Sequence, residues 1–251
     1  MLIFCYLCGY SQAREIKVYN ITCEYKTNPI GVDSPRPRLS WKINTDSKDV
    51  VQTAYEIKVA TDAQGLKEKD GYWNSGKISN EESVHLPYNG KELKSGERYF
   101  WQVRVWDNKG NVSPWSEVNF WEMGLLTVSD WKAKWIQSSQ ATPRETGPSP
   151  LFRKAFSLNN KVKKARLYIS SYGLYDAYIN GIRLGNAYFA PGWTSFHKQL
   201  QYQVYDVSTQ LAKGNNAIGV MLGDGWYRGN LMGGRNFYGK EPALLAQLLV
   251  E

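Results

Sequence analysis

The sequence predicts an all-β chain folded as two consecutive β-sandwiches. Three observations carry this. Apolar residues recur at every second position in short runs, as at Tyr99, Trp101, Val103 and Val105, which is the period of a strand with one face in a core. The runs are separated by Gly, Pro and Asn turns such as Asn28-Pro29-Ile30-Gly31 and Asn108-Lys109-Gly110. No stretch of ten residues carries a convincing helical stripe. With 251 residues, 42% of them hydrophobic and 14% aromatic, the chain can build one large core or two ordinary ones and is not of disordered composition.

In chain order, residues 1–13 come first. An apolar run (Leu2, Ile3, Phe4, Tyr6, Leu7) leads into Ser11-Gln12-Ala13, which has the small-x-small character of a signal-peptidase site. It lacks a basic n-region, so it reads as the remnant of a secretory signal and points to export. A membrane span would need about 20 apolar residues. Cys5 and Cys8 fall in this leader and leave Cys23 alone, with no disulfide or thiolate zinc site available to it. The expectation for Cys23 is a small buried apolar residue. The net charge of +8 raises the question of nucleic acid. Its densest run, Lys161, Lys163, Lys164 and Arg166, is interrupted by Val162, Ala165 and Leu167, the pattern of a solvated strand face, which argues against a nucleic-acid partner.

Strand-like segments follow at Val18–Tyr25, Leu39–Ile43 and Ala54–Ala60. The period-two run through Tyr99 to Val105 is then followed by Ser113-Pro114-Trp115-Ser116. Over residues 16–122 this order resembles a fibronectin type III sandwich. The Leu93-to-Tyr99 spacing is similar to its tyrosine corner, Trp41 to its core tryptophan, and Val-Arg-Val-x-Asp with Ser-Pro-Trp-Ser to its last two strands. The resemblance implies core packing for these aromatics and no chemistry of its own. Residues 123–150 read as a junction. Trp131 and Trp135 would dock one domain against the next, and Gln137–Pro150 is a Ser-, Thr-, Pro- and Gly-rich linker.

From Leu151 the strands resume: Leu151–Leu158, Ala165–Ser170, Leu174–Ile179, Ile182–Leu184, Tyr202–Val207 and Ala217–Leu222, with Asn180-Gly181 as a type I′ hairpin turn. The order Tyr178-Ile179-Asn180-Gly181, Tyr205-Asp206-Val207 and Gly214-Asn215-Asn216 resembles the galactose-binding-like jelly rolls fused to glycoside hydrolases. Three stretches narrow this: Ala190-Pro191-Gly192-Trp193-Thr194, Gly223–Gly229, and Arg235-Asn236-Phe237-Tyr238-Gly239 leading into Pro242–Gln247. Together they resemble the N-terminal part of bacterial α-L-rhamnosidases. That resemblance implies a secreted or periplasmic enzyme whose catalytic carboxylates lie in an (α/α) barrel, absent here, and a jelly roll over residues 151–251 that lacks its final strands.

Glycoside hydrolysis needs two carboxyl groups flanking the bond, about 6.5–9.5 Å apart for inversion. Asp176, Asp206, Asp224 and Glu241 are the local acids. Asp206 is expected to cap the turn that follows it, and the resemblance puts the catalytic pair in the barrel, so no catalytic residue is assigned here. The expected role is support of the barrel and contact with rhamnose-containing glycans. The candidate sugar-binding residues are Asn186, Trp193, Asp224, Trp226, Tyr227, Arg228, Arg235 and Asn236. By the same resemblance, Asn186, Asn236 and the carbonyls around Pro242 are the candidate ligands of a calcium ion, which takes six to eight oxygens. Structural roles compete for several of these. Asn180 serves its hairpin, Trp193 either stacks on a sugar or plugs the sandwich end, Trp226 and Tyr227 fill a seam to the barrel, and Asp224 pairs with Arg228. His85 and His197 lack metal-ligand spacing. The alternative from another class is a non-catalytic binding or adhesion protein of two sandwiches.

Overall fold

The computed structural model describes residues 15–68, 71–139, 148–231 and 233–251. The leader expected at 1–13 and most of the expected linker fall outside them. The chain divides between Leu126 and Thr127 into two compact units.

In the first unit, β1 (Lys17–Cys23), β3 (Arg38–Asn44) and β7 (Leu86–Pro87) form one sheet, after β2 (Ile30–Val32) has crossed to the other. That second sheet orders β2, β9 (Asn119–Met123), β8 (Arg98–Asp107), β4 (Gln52–Ala60) and β5 (Trp73–Asn74), with β6 (Ile78–Ser79) also on β4. The alternation seen in the sequence is the burial pattern of β8: Tyr99, Trp101, Val103 and Val105 are buried and the residues between them are not. The Tyr99 and Trp101 rings pack on Trp121, which meets Tyr88 and through it Trp73, and Trp41 is buried with its indole N–H donating to Gln52 Oε1 at 2.9 Å. The tyrosine corner is present, since the Lys94 amide donates to Tyr99 Oη at 2.9 Å.

Ser113-Pro114-Trp115-Ser116 is not a strand, contrary to expectation; the last strand is β9, further on. Pro114 has no N–H to give a ladder, and the two serines substitute for one. The Ser113 and Ser116 amides donate to the Val105 and Val103 carbonyls, while their hydroxyls accept from the Val105 and Val103 amides at 3.0 and 3.1 Å.

In the second unit, β10 (Leu151–Leu158), β15 (Gly214–Gly223), β12 (Leu174–Ile179) and β13 (Ile182–Arg183) make one sheet, and β14 (Gln203–Asp206), β11 (Ala165–Tyr172) and β16 (Ala243–Val250) make the other. Leu167, Ile169, Ile179, Val207, Val220 and Leu222 lie in the core between them. Asn180 and Gly181 both take positive φ, +50° and +85°, as a type I′ turn requires. Asn180 also donates to Asn216 Oδ1 and the Gln210 carbonyl, so it serves its hairpin.

Two expectations change here. Arg166 is not on a solvated face: it is 4% exposed, because its guanidinium meets Asp206 at 2.9 Å and the Ala165 carbonyl. Trp131 and Trp135 pack within the second unit, Trp131 against Tyr168 and Tyr202, and Trp135 stacked on Tyr172 at 4.5 Å. Gln247 holds this segment down by accepting the Lys132 and Ala133 amides and donating to the Asp130 carbonyl. Among the described residues, no helix is long and apolar enough to cross a membrane.

Candidate functional site

Three segments converge at one end of the second sandwich: the loop between β13 and β14, the turn after β15, and the loop into β16. Their convergence follows from pairing. Leu174 opposes Gly223 and Tyr172 opposes Ala243, so the end of β15 and the start of β16 meet at the β11–β12 turn. Gly173 makes that turn at φ +117°, where an added Cβ would sit 2.3 Å from the Gly223 carbonyl oxygen.

The stretch Gly223–Gly229 contains a single helical turn, α1 (Gly225–Arg228). The turn drives Arg228 inward to 6% exposure and leaves Trp226 and Tyr227 on the rim. Asp224 then lies between two cations. Its Oδ1 is 3.4 Å from Arg228 Nε and its Oδ2 is 3.4 Å from Arg235 Nη2. Arg228 also reaches the Lys240 carbonyl, and its own carbonyl accepts the Asn236 amide at 3.0 Å. The expected Asp224–Arg228 pair is thus a clamp of three side chains that ties α1 to the loop before β16.

Around the clamp runs a chain of rings. Trp193 lies parallel to Trp226 at 5.6 Å and 4°, with Phe189 edge-on to Trp226. Tyr227 stacks on Tyr172 and meets Phe196 edge-on; Phe196 in turn packs on Tyr238, which also meets His197 and Phe237. Burial pushes the Tyr227 hydroxyl above its ordinary range, helped by Tyr172 and Glu241, so it stays a neutral donor and acceptor. Gly239 leaves room for that hydroxyl: a Cβ there would lie 2.0 Å from Tyr227 Oη. Beneath, Tyr175 donates to Gln203 Oε1 and Gln203 Nε2 to the Pro191 carbonyl, anchoring the loop that carries Trp193.

The structure therefore joins Trp193, Asp224, Trp226, Tyr227, Arg228, Arg235 and Asn236 in one lip. Trp193 stacks on Trp226 and remains 48% exposed. Asn186 stays apart: among the described residues no hydrogen bond or ring contact links it to the lip. Phe189, Phe196, Phe237, Tyr238 and Gln203 were not singled out from sequence, although Phe237-Tyr238 lay inside a motif already noted. An aromatic pair flanked by Asn236 and Gly239 was the available signal.

Arginines flank two of the three candidate calcium positions, Asn186 and Asn236. The Gly185 and Ala187 carbonyls on either side of Asn186 both accept from the Arg183 guanidinium, at 3.2 and 2.8 Å, which opposes a second cation there. Asn236 sits beside Arg228 and Arg235. No group of three Asp, Glu, His or Cys residues is placed to hold a metal among the described residues. Three of the four local acids are similarly occupied. Asp176 pairs with Arg183 at 2.6 Å, Asp206 with Arg166, and Asp224 with two arginines. Asp206 also caps its turn, as foreseen, by accepting the Ser208 amide at 3.0 Å.

Fold and site together define a tandem of β-sandwiches whose second member ends in an aromatic, ion-paired lip. The chain is built of the N-terminal domains of the α-L-rhamnosidase family. Residues 18–127 match the family described as Rha78A-like, N-terminal immunoglobulin domain, and residues 160–251 match the α-L-rhamnosidase N-terminal domain. An α-L-rhamnosidase of Alteromonas sp. (strain LOR) is 38% identical over 230 residues, 88% of this chain and 25% of that protein. The structure of an α-L-rhamnosidase from Dictyoglumus thermophilum superposes with a TM-score of 0.85 at 39% identity, over 94% of this chain and 27% of that one. That of a Streptomyces avermitilis α-L-rhamnosidase complexed with L-rhamnose superposes at 0.82 and 26% identity, over 94% and 39%. The chain thus spans about a quarter of the length of the first curated relatives it matches.

Proposed function

We propose that this chain is the ancillary N-terminal part of a secreted α-L-rhamnosidase, that the catalytic carboxylates belong to a further region of the same polypeptide, and that the lip of the second sandwich contacts rhamnose-containing glycans. The observation that carries this is the match of both units to rhamnosidase N-terminal domains, together with the relatives' much greater length. Three carboxylates of the second unit support it, since Asp176, Asp206 and Asp224 are each drawn to a guanidinium rather than set across an open cleft. The lip offers sugar a half-exposed indole, a phenol and amide groups, the usual surfaces for a sugar's apolar face and hydroxyls. Calcium has no part in this proposal, because arginines lie beside two of its three candidate positions, Asn186 and Asn236.

Two measurements test it. Hydrolysis of an aryl α-L-rhamnoside is expected from the polypeptide extended by its full reading frame and not from residues 15–251; turnover by the latter overturns the assignment. Calorimetric titration with L-rhamnose is expected to give the same weak heat with and without a chelator. Trp193→Ala is expected to weaken it about fivefold, the loss of one stacking contact of about 1 kcal/mol. No heat in either condition leaves the lip as a structural cap alone.

A further inference from the structure

The first unit carries a groove of about 800 Å³, within the range of about 300–1,000 Å³ typical of ligand sites. One wall is β1, at the edge of its sheet. Opposite β3, Tyr19 pairs with Lys42 and Thr22 with Ser40, so Asn20 and Ile21 together face the single residue Trp41. This bulge, with Asn20 at φ +47°, breaks the alternation of the strand. Ile21 enters the core, while Tyr19 and Asn20, adjacent in sequence, both face solvent, Tyr19 at 50% exposure.

The other wall is Pro114–Glu117, the segment that the two serines hold without a ladder. Its Trp115 is held in place by cations, with Lys58 Nζ at 5.0 Å and Arg104 Cζ at 4.7 Å from the ring centroid. Arg104 is itself fixed by Glu56 at 2.6 Å. Asn119 bridges the walls by donating to the Ile21 carbonyl at 3.0 Å, and Asn44 also lines the groove.

We propose that this groove binds a neutral oligosaccharide, independently of the lip on the second sandwich. Two rings on opposite walls, one preset by its cations, suit the apolar faces of successive sugar units, and three asparagines between them suit the hydroxyls. Of the charged residues that line the groove, Lys17 is already paired with Glu15 at 3.5 Å, which leaves Glu117 to repel acidic sugars. An extended peptide is the poorer occupant, because the bulge interrupts the row of backbone groups that an added strand would pair with.

The probes are neutral tetrasaccharides of rhamnose, galactose and xylose, a glucuronate-containing tetrasaccharide and an extended decapeptide. Each is titrated into the isotope-labelled chain while the Trp115 indole and Asn119 side-chain amide resonances are followed. At least one neutral saccharide is expected to shift both groups. Tyr19→Ala is expected to raise its Kd about tenfold with an unchanged circular dichroism spectrum, and Trp193→Ala to leave it unaltered. No shift from any neutral saccharide up to about 10 mM, a shift with only the peptide or the acidic sugar, or equal affinity in Tyr19→Ala would each overturn the assignment.

Discussion

Replacing Asp224 with asparagine removes the carboxylate shared by Arg228 and Arg235 while keeping its shape. Each contact is 3.4 Å, at which a unit charge pair gains about 5 kcal/mol at an effective dielectric near 20, before desolvation is subtracted. Breaking a buried pair costs about 3–5 kcal/mol, whereas an exposed pair is worth at most about 1 kcal/mol. The clamp lies between these limits, since the Arg228 side chain is 7% exposed and that of Asp224 36%. The expected loss is therefore about 2 kcal/mol, or roughly 5–10 °C in the melting temperature of the second unit. Circular dichroism reads both consequences, because the far-ultraviolet melt follows stability and the near-ultraviolet spectrum follows the Trp193–Trp226 stack carried on α1. Both should decline, and 0.5 M salt should lessen the difference from the parent chain. A melt within about 1 °C of the parent, with an unchanged near-ultraviolet spectrum, would refute the clamp. It would mean that the Lys240 carbonyl and the surrounding rings hold Arg228 by themselves.

Other predictions concern the first unit. Tyr99→Phe strips the Lys94 amide of its acceptor and should cost about 1–3 kcal/mol, seen as a lower denaturant midpoint at unchanged slope. Asp107 should give this unit an acid-side stability slope. Desolvation pushes its carboxyl up, but hydrogen bonds from the Asn111 side chain and from the Asn111 and Lys109 amides outweigh it and hold the pKa below the ordinary value. A depressed folded pKa means that the stabilisation is complete above the unfolded value near 3.9 and is lost as pH falls through the folded one. Asp107→Asn should flatten that slope in denaturant titrations between about pH 5 and pH 2. Cys23 is buried, and burial, with Glu24 adding to it, pushes its thiol well above the ordinary range. Iodoacetamide should label the peptide containing Cys23 only after denaturation, by mass spectrometry; labelling in the native state would contradict its burial.

Several elements could be read from sequence because their cause is local. β10 and β12 begin and end where their patterns do, the Asn180-Gly181 hairpin needs only positive φ, and the Leu93–Tyr99 corner depends on a short spacing. The lip was only partly legible. Its rings and charges were visible as residue types, but α1 spans a single turn, too short for any periodicity to show. The clamp joins Asp224 to Arg235 across a loop. Trp131 and Trp135 were legible as apolar anchors, but not the sheet they would cover. Ser113 and Ser116 looked like strand residues until their hydroxyls were seen to replace ladder bonds.

By itself, then, the sequence determined the all-β class, the two sandwiches and most strand positions, because alternation and turn chemistry act over a few residues. Only the tertiary structure decided which side chains share an environment. Whether Arg166 is solvated or buried, whether Asn186 joins the lip, and whether Tyr19 faces Trp115 across a groove all depend on strand order and on a bulge. Those in turn are settled by the packing of residues distant in the chain.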